Sequence, residues 1–169
     1  MLKNTHEHHQ LVATHERLSS FRVAAIQMAS GPSVSANLEE AARWIEEAVT
    51  QQAQLVVLPE YFCIMGMKDT DKLAVREHPG EGPIQKFLSD TAKRHRIWLV
   101  GGSVPLATSD PNKVYNSCLV YADNGELAAR YDKIHLFGLQ LGNEHYAEEK
   151  TIKAGDKVVT VDSPFGRMG

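Results

Sequence analysis

Two cysteines, Cys63 and Cys118, stand among 169 residues. That is too few for a disulfide-stapled scaffold, so a reducing cytoplasm is the expected setting. No apolar run approaches the roughly 18 residues that a membrane-spanning helix needs. The first twenty residues are polar and lack the apolar centre of a secretory signal. The formal net charge is only −3, with no basic stripe, which excludes a nucleic-acid or acidic-membrane footprint. Internal repeats and low-complexity tracts are absent as well.

What remains is ordinary globular chemistry: 43% apolar and 23% charged residues, at a length suited to one domain. Residues 1–20, with His6, His8, His9 and His15, read as a disordered leader or a misplaced start. Residues 21–169 read as the folded domain. The clustered histidines could ligate a metal, yet no fixed carboxylate accompanies them, and a solvated tail is the simpler reading. No Cys/His spacing of a zinc site occurs, so no metal is expected.

From Phe21 onward, apolar runs alternate with helical patterns. Val23 to Met28 reads as a strand covered on both faces, ended by Gly31-Pro32-Ser33. Asn37 with Glu40 fits a capping box that opens a helix. That helix would bury Leu38, Ala41, Ala42, Ile45, Ala48 and Val49 and turn Glu39, Arg43, Glu46 and Glu47 to water. Leu55 to Leu58 is a second buried strand, ended by Pro59. The stretch from Tyr61 to Glu81, broken by Gly66, Pro79 and Gly80, predicts a loop with a short helix, and loops of this length often carry function. Pro83 to His95 predicts a helix burying Ile84, Phe87, Leu88, Thr91 and Ala92; Ile97 to Val100 predicts a third strand. The order β-α-β-α-β implies parallel strands with crossover helices. Tyr115–Tyr121 and Leu127–Asp132 then flank Asn124-Gly125, a strong hairpin signal, and Lys157 to Val161 predicts a last strand. Trp44 and Trp98 fall at core or near-core positions.

Ligands of open α/β sheets gather at the carboxyl ends of the strands. Glu60 follows the second strand there. If the first hairpin strand runs antiparallel to the sheet, the second runs with it, and Lys133 emerges at the same edge. A carboxylate meeting an ammonium in one cleft is a plausible acid–base pair; the alternative is two solvated surface charges. Gly101-Gly102-Ser103 is neither a phosphate loop nor a nucleophile elbow, since the other residues of those patterns are missing. His135 is expected to pack or hydrogen-bond beside Lys133 rather than to titrate as a catalyst.

Leu58-Pro59-Glu60 with Tyr61-Phe62, and Tyr131-Asp132-Lys133-Ile134-His135-Leu136-Phe137, resemble the catalytic-glutamate and catalytic-lysine motifs of the nitrilase superfamily of carbon–nitrogen hydrolases, in its amidase branch. Tyr115-Asn116-Ser117, Gly101-Gly102-Ser103 and the segment from Glu148 to Asp156 match in order, so the likeness runs from about Phe21 to Gly169. The resemblance implies an α-β-β-α sandwich, of which this α/β chain would supply a partial version, a mixed sheet flanked by helices. It also implies a Glu–Lys–Cys triad that hydrolyses a small amide through a thioester and needs no cofactor. In that scheme Glu60 is the general base, Lys133 stabilises the oxyanion, and Glu148 matches a second family glutamate, with Glu144 and Glu149 close enough to compete for that position. An ω-amide or a deaminated glutathione is the substrate class implied, and members commonly form homo-oligomers.

The family's cysteine follows shortly after a Phe-Gly-x-x-Gly segment, and Phe165-Gly166-Arg167-Met168-Gly169 ends this sequence. Cys63, three residues from Glu60, and Cys118, inside a strand, are the available thiols; a strand cysteine usually acts as a small core hydrophobe. The chain is therefore expected to be inactive alone, as a truncated product, a fragmentary sequence or a pseudoenzyme serving as a binding or assembly module. An apolar sheet face from Val23, Ile26, Val56 and Leu99 is expected to be poorly covered.

Overall fold

Three parallel strands, β1 (Val23–Ala25), β2 (Leu55–Val57) and β3 (Trp98–Val100), form one half of a mixed six-stranded sheet in the computed structural model. It describes residues 20–169, apart from Asn143 and the side chains of residues 143–145. The expected leader, with its histidines, thus lies outside the described residues but for Ser20. Helix α1 (Val34–Thr50) joins the first two strands, and α2 (Asp71–Ala74) with α3 (Pro83–His95) joins the next two. After a break at residues 101–103, β3 continues as β4 (Val104–Ala107), and both pair antiparallel with successive parts of β5 (Val114–Tyr121). Strand β6 (Leu127–Asp132) pairs antiparallel with β5 and so points the same way as β1 to β3. The expected mixed α/β sheet is present, and the hairpin sends β6 in the direction that brings Lys133 to the Glu60 edge.

The core lies between this sheet and α1 and α3. Val56 and Leu99 pair across neighbouring strands and are fully buried, together with Ala41 and Ile45 of α1 and Leu88 and Ala92 of α3. Each buried Ile or Leu side chain contributes about 1.5–3 kcal/mol relative to exposure. Helix α3 starts at Pro83, where a missing N–H costs nothing, and the buried Glu77 carboxylate accepts the Ile84 and Gln85 N–H groups of its first turn. Lys93, Arg94 and His95 close it with charge that complements the helix dipole. Among the described residues no helix is long and apolar enough to cross a membrane.

The structure corrects several sequence expectations. Helix α1 begins one turn before Asn37: Ser33 is the cap, its Oγ accepting the Ala36 N–H. Asn37 is buried instead, its amide bonded to both backbone groups of Gly31 and to the Cys63 carbonyl. Glu40 pairs with Arg43 and accepts the Trp44 indole N–H, which leaves Trp44 39% exposed rather than in the core. Strand β1 is only three residues long, and alternation decides which face is bare. Val56 and Leu99 point to the helices and are covered, and Ile26 packs against the same core; of the four residues named for a bare face, only Val23, 47% exposed, lies open. The open groove on the other face is lined by Val100, Cys118, Val120, Ala129 and Tyr131. The last predicted strand, Lys157 to Val161, gives way to a hairpin, β9 (Val161–Ser163) and β10 (Gly166–Met168). The hairpin's Phe165 packs against Phe21 and Trp98. Sequence periodicity also missed β4 and a second hairpin, β7 (Gly138–Leu141) with β8 (Glu144–Ala147).

Candidate active site

Two close backbone approaches fix the site. Gly102 adopts φ +51, and a Cβ there would stand 2.0 Å from the Pro59 carbonyl oxygen; only glycine lets the turn after β2 lie against the β3–β4 junction. Ser103 then accepts the Tyr61 N–H at 2.8 Å, and Tyr61 takes the left-handed φ of 57°, which is uncommon for a bulky residue and marks a held conformation. On the other strand end, the Lys133 N–H donates to the Asn116 carbonyl and the Lys133 carbonyl accepts from Gly155. A Cβ on Gly155 would meet the Asp132 carbonyl oxygen at 2.3 Å. Both chemistry-bearing turns are clasped by glycines that permit contact between backbones.

These clasps bring the three candidate residues together. The Lys133 ammonium stands 3.2 Å from a Glu60 oxygen and 3.0 Å from Glu148. Glu148 sits in a short 3₁₀ turn (Glu148–Lys150) after β8 and is only 4% exposed. Three donors offset its burial: the Phe137 N–H at 2.8 Å, the Tyr61 hydroxyl at 2.9 Å and Lys133. Of Glu148 and Glu149, it is Glu148 that reaches Lys133, while Glu149 is exposed; the Glu144 side chain lies outside the described ones. Glu60 is half exposed, and the buried Asn116 donates to its Oε1 at 2.7 Å.

Charge states follow from these contacts. Burial alone would raise the Glu148 pKa, but the Phe137 N–H, the Lys133 ammonium and the Tyr61 hydroxyl outweigh it, and the carboxyl is held below its usual range. Burial alone would lower Lys133, yet hydrogen bonds to Glu148 and Glu60 prevail and hold the ammonium above the usual lysine value. Lys133 stays charged and has three N–H donors; two are spent on carboxylates, leaving one free to meet a developing oxyanion.

Neither thiol joins this cluster. Cys63 is fully buried, its Sγ donating to the Ser103 carbonyl at 3.4 Å, and burial pushes its pKa up to about 12, the reverse of what a nucleophilic cysteine needs. Cys118 faces the open groove, whose lining includes none of Glu60, Lys133 or Glu148, and burial raises its pKa too. Among the described residues no three His, Cys, Asp or Glu side chains group as metal ligands would. Sequence reasoning missed Tyr61 and Asn116 as site residues. Asn116 stood in a matched motif, but nothing in a single sequence shows that its amide reaches across 56 positions.

Comparison with known proteins gives a consistent picture. A sequence model of the carbon–nitrogen hydrolase family matches residues 22–169. The chain is 42% identical over 154 residues to omega-amidase NIT2 of Homo sapiens, spanning 90% of this chain and 54% of that protein. It is 33% identical over 169 residues to nitrilase homolog 2 of Dictyostelium discoideum, spanning 98% and 51%. Among solved structures, Saccharomyces cerevisiae Nit3, a member of branch 10 of the nitrilase superfamily, superposes with a TM-score of 0.74 at 31% identity, covering 87% of this chain and 53% of that one. The C. elegans NitFhit protein does so with a TM-score of 0.76 at 30% identity, covering 87% and 36%. The chain spans about half the length of the curated relatives it matches.

Proposed function

The chain belongs to the carbon–nitrogen hydrolase family, and from that premise we propose that Glu60, Lys133 and Glu148 are the acid–base part of a thiol-dependent amidase site. The supporting observation is one ammonium held between two carboxylates, brought together by the turns that follow β2, β6 and β8. In the reaction, Glu60 takes the proton of a cysteine thiol, and the thiolate attacks the amide carbonyl carbon. Lys133 offers its free N–H to the resulting oxyanion. The C–N bond then breaks as Glu60 returns the proton to the departing ammonia, leaving a thioester. Glu60 next takes a proton from water, whose oxygen attacks the thioester; the carboxylic acid leaves and the thiol is reprotonated. Glu148 holds the Lys133 ammonium in place throughout.

The thiol is supplied from outside these 169 residues, because Cys63 is buried in the core and Cys118 faces the far groove. The chain alone is therefore inactive. A short ω-amide is the substrate, in keeping with the omega-amidase names of the relatives. No cofactor enters these steps. A cytoplasmic setting, where both unpaired cysteines would stay reduced, and a homo-oligomer of the complete protein belong to the same proposal.

Ammonia release from succinamate tests it, measured on the 169-residue chain and on the chain continued through its own downstream reading frame. The extended protein should hydrolyse the amide and show an acyl-cysteine adduct by mass spectrometry, while the shorter chain releases none. Glu60→Gln and Lys133→Met should each lower the extended protein's rate by roughly 10²–10⁴-fold. An extended protein that hydrolyses no short amide and forms no adduct would instead favour a non-catalytic binding module.

A further inference from the structure

A second ammonium stands beside the proposed site and is unused by the hydrolytic steps. Lys72, in α2, lies with its Nζ 5.5 Å from the centroid of the Tyr61 ring, the ring whose hydroxyl donates to Glu148. It borders a narrow, mostly apolar crevice behind the site, shared with Tyr61, Ser103 and Asn116, residues that form and clasp the Glu60 turn. Lys72 is half-buried, yet no carboxylate of the described residues forms an ion pair with it. The charges it feels are those of Asp69, Glu148, Lys133 and Glu60, and loss of water lowers its pKa in spite of the three carboxylates. An ammonium drawn out of water without an ion-pair partner is an electrostatic vacancy for an anion.

We propose that Lys72 binds a carboxylate at the far end of the amide substrate, with Tyr61 as the spacer between that subsite and the reacting carbonyl. The proposal rests on the amidase reading of the same site and adds the residue that selects the substrate. Tyr61 sets the geometry: Lys72 stands over the face of its ring, and its hydroxyl donates to Glu148, the partner of Lys133. The Tyr61 ring and the Glu148 carboxylate thus lie between the two ammoniums, and the substrate proposed to reach both is a short aliphatic chain with an amide at one end and a carboxylate at the other. A neutral amide of the same length would leave Lys72 unpaired.

Two measurements test this. In the extended protein, kcat/KM is compared for succinamate and for 4-methylpentanamide, its neutral near-isostere, in wild type, Lys72→Met and Lys72→Arg. The wild type should prefer succinamate, and Lys72→Met should shrink that preference roughly 10- to 100-fold, mainly through KM, as expected for one charge-assisted hydrogen bond. Lys72→Arg should recover part of it. An equal loss on both amides would mean that Lys72 only clamps Tyr61, and no loss would mean that it does nothing here; either result overturns the proposal. In the 169-residue chain, NMR signals of the Lys72 side chain should shift on titration with succinate, an unreactive dicarboxylate, and the succinate-induced shifts of the Tyr61 ring should vanish in Lys72→Met. Silence of the Lys72 signals overturns it as well. If succinate moves Lys72 but the extended protein cleaves no amide, the amidase reading fails and the carboxylate subsite stands. Hydrolysis without a Lys72-dependent preference leaves the amidase reading standing and removes the subsite.

Discussion

Replacing Gly102 by alanine should damage both the stability and the site. The added methyl would stand 2.0 Å from the Pro59 carbonyl oxygen and 2.8 Å from its carbon, against ordinary contacts of roughly 3.5 Å. The clashing atoms are backbone, so no side-chain rotation relieves them. A φ of +51 costs an L-residue about 1–2 kcal/mol, and overpacking adds about 1–3 kcal/mol, for a total of about 2–5 kcal/mol. Relief requires the turn carrying Glu60 to move by more than about 1 Å, a displacement that costs about 10²-fold in rate where geometry governs catalysis. Urea melts of Gly102→Ala give the stability loss, with Gly80→Ala as the control. Gly80 has φ +85 but open space around its would-be Cβ, so that variant carries only the conformational cost. A Gly102→Ala chain that melts like wild type, or loses no more than Gly80→Ala, would refute the reasoning from backbone contact.

Three further predictions concern other parts of the molecule. Tyr61→Phe removes one of three donors to the buried Glu148 carboxylate. Since that carboxyl is held below its usual pKa, its stabilising contribution is present above the ordinary carboxylate range and is lost as pH falls through the depressed folded value. The variant should therefore lose about 1.5–3 kcal/mol near neutral pH and less in acid, and urea melts across pH with the same profile as wild type would contradict this. Iodoacetamide at pH 8 should alkylate Cys118 before Cys63 in the folded chain, because Cys63 is fully buried with its pKa pushed up to about 12; peptide mass mapping that finds Cys63 modified first would count against its placement. Glu77→Ala strips the first turn of α3 of its acceptor, leaving the Ile84 and Gln85 N–H groups and the Gln85 amide without their shared carboxylate. The expected loss is about 2–4 kcal/mol, and a denaturation midpoint matching wild type would exclude the capping role.

Much of the fold could be read in the sequence because local and global signals agree. Helix α3 runs over the residues that its Pro83 start and apolar spacing predict, and the Asn124-Gly125 turn joins β5 to β6 as the hairpin signal requires. Direction along the sheet then follows from topology, which is how Glu60 and Lys133 could be expected at one edge. Asn37 misled because its amide is a good cap in principle; the structure uses it to join the Gly31 and Cys63 backbones, a contact across 26 positions that periodicity cannot register. An all-apolar run hides which residues alternate inward, so sequence alone groups Val56 and Leu99 with the exposed Val23 although they are fully buried. Strand β4 is short and contains Pro105, a residue that argues against a strand; the two residues between β7 and β8, Gly142 and Asn143, are a hairpin pair, but the strands Gly138–Leu141 and Glu144–Ala147 hold no β-branched residue to mark them as strands. Glu148 was found through a family motif, while its donors Tyr61 and Phe137 belong to other segments and emerge only once the chain is folded.

The shared pocket of Glu60, Lys133 and Glu148 is tested most directly by a side-chain NMR titration of the Lys133 ammonium in the 169-residue chain. Held by two carboxylates, it should keep its proton to a higher pH than the exposed lysines, and Glu148→Gln should bring its titration down toward theirs. A Lys133 signal that titrates with the exposed lysines and ignores the substitution would contradict the account.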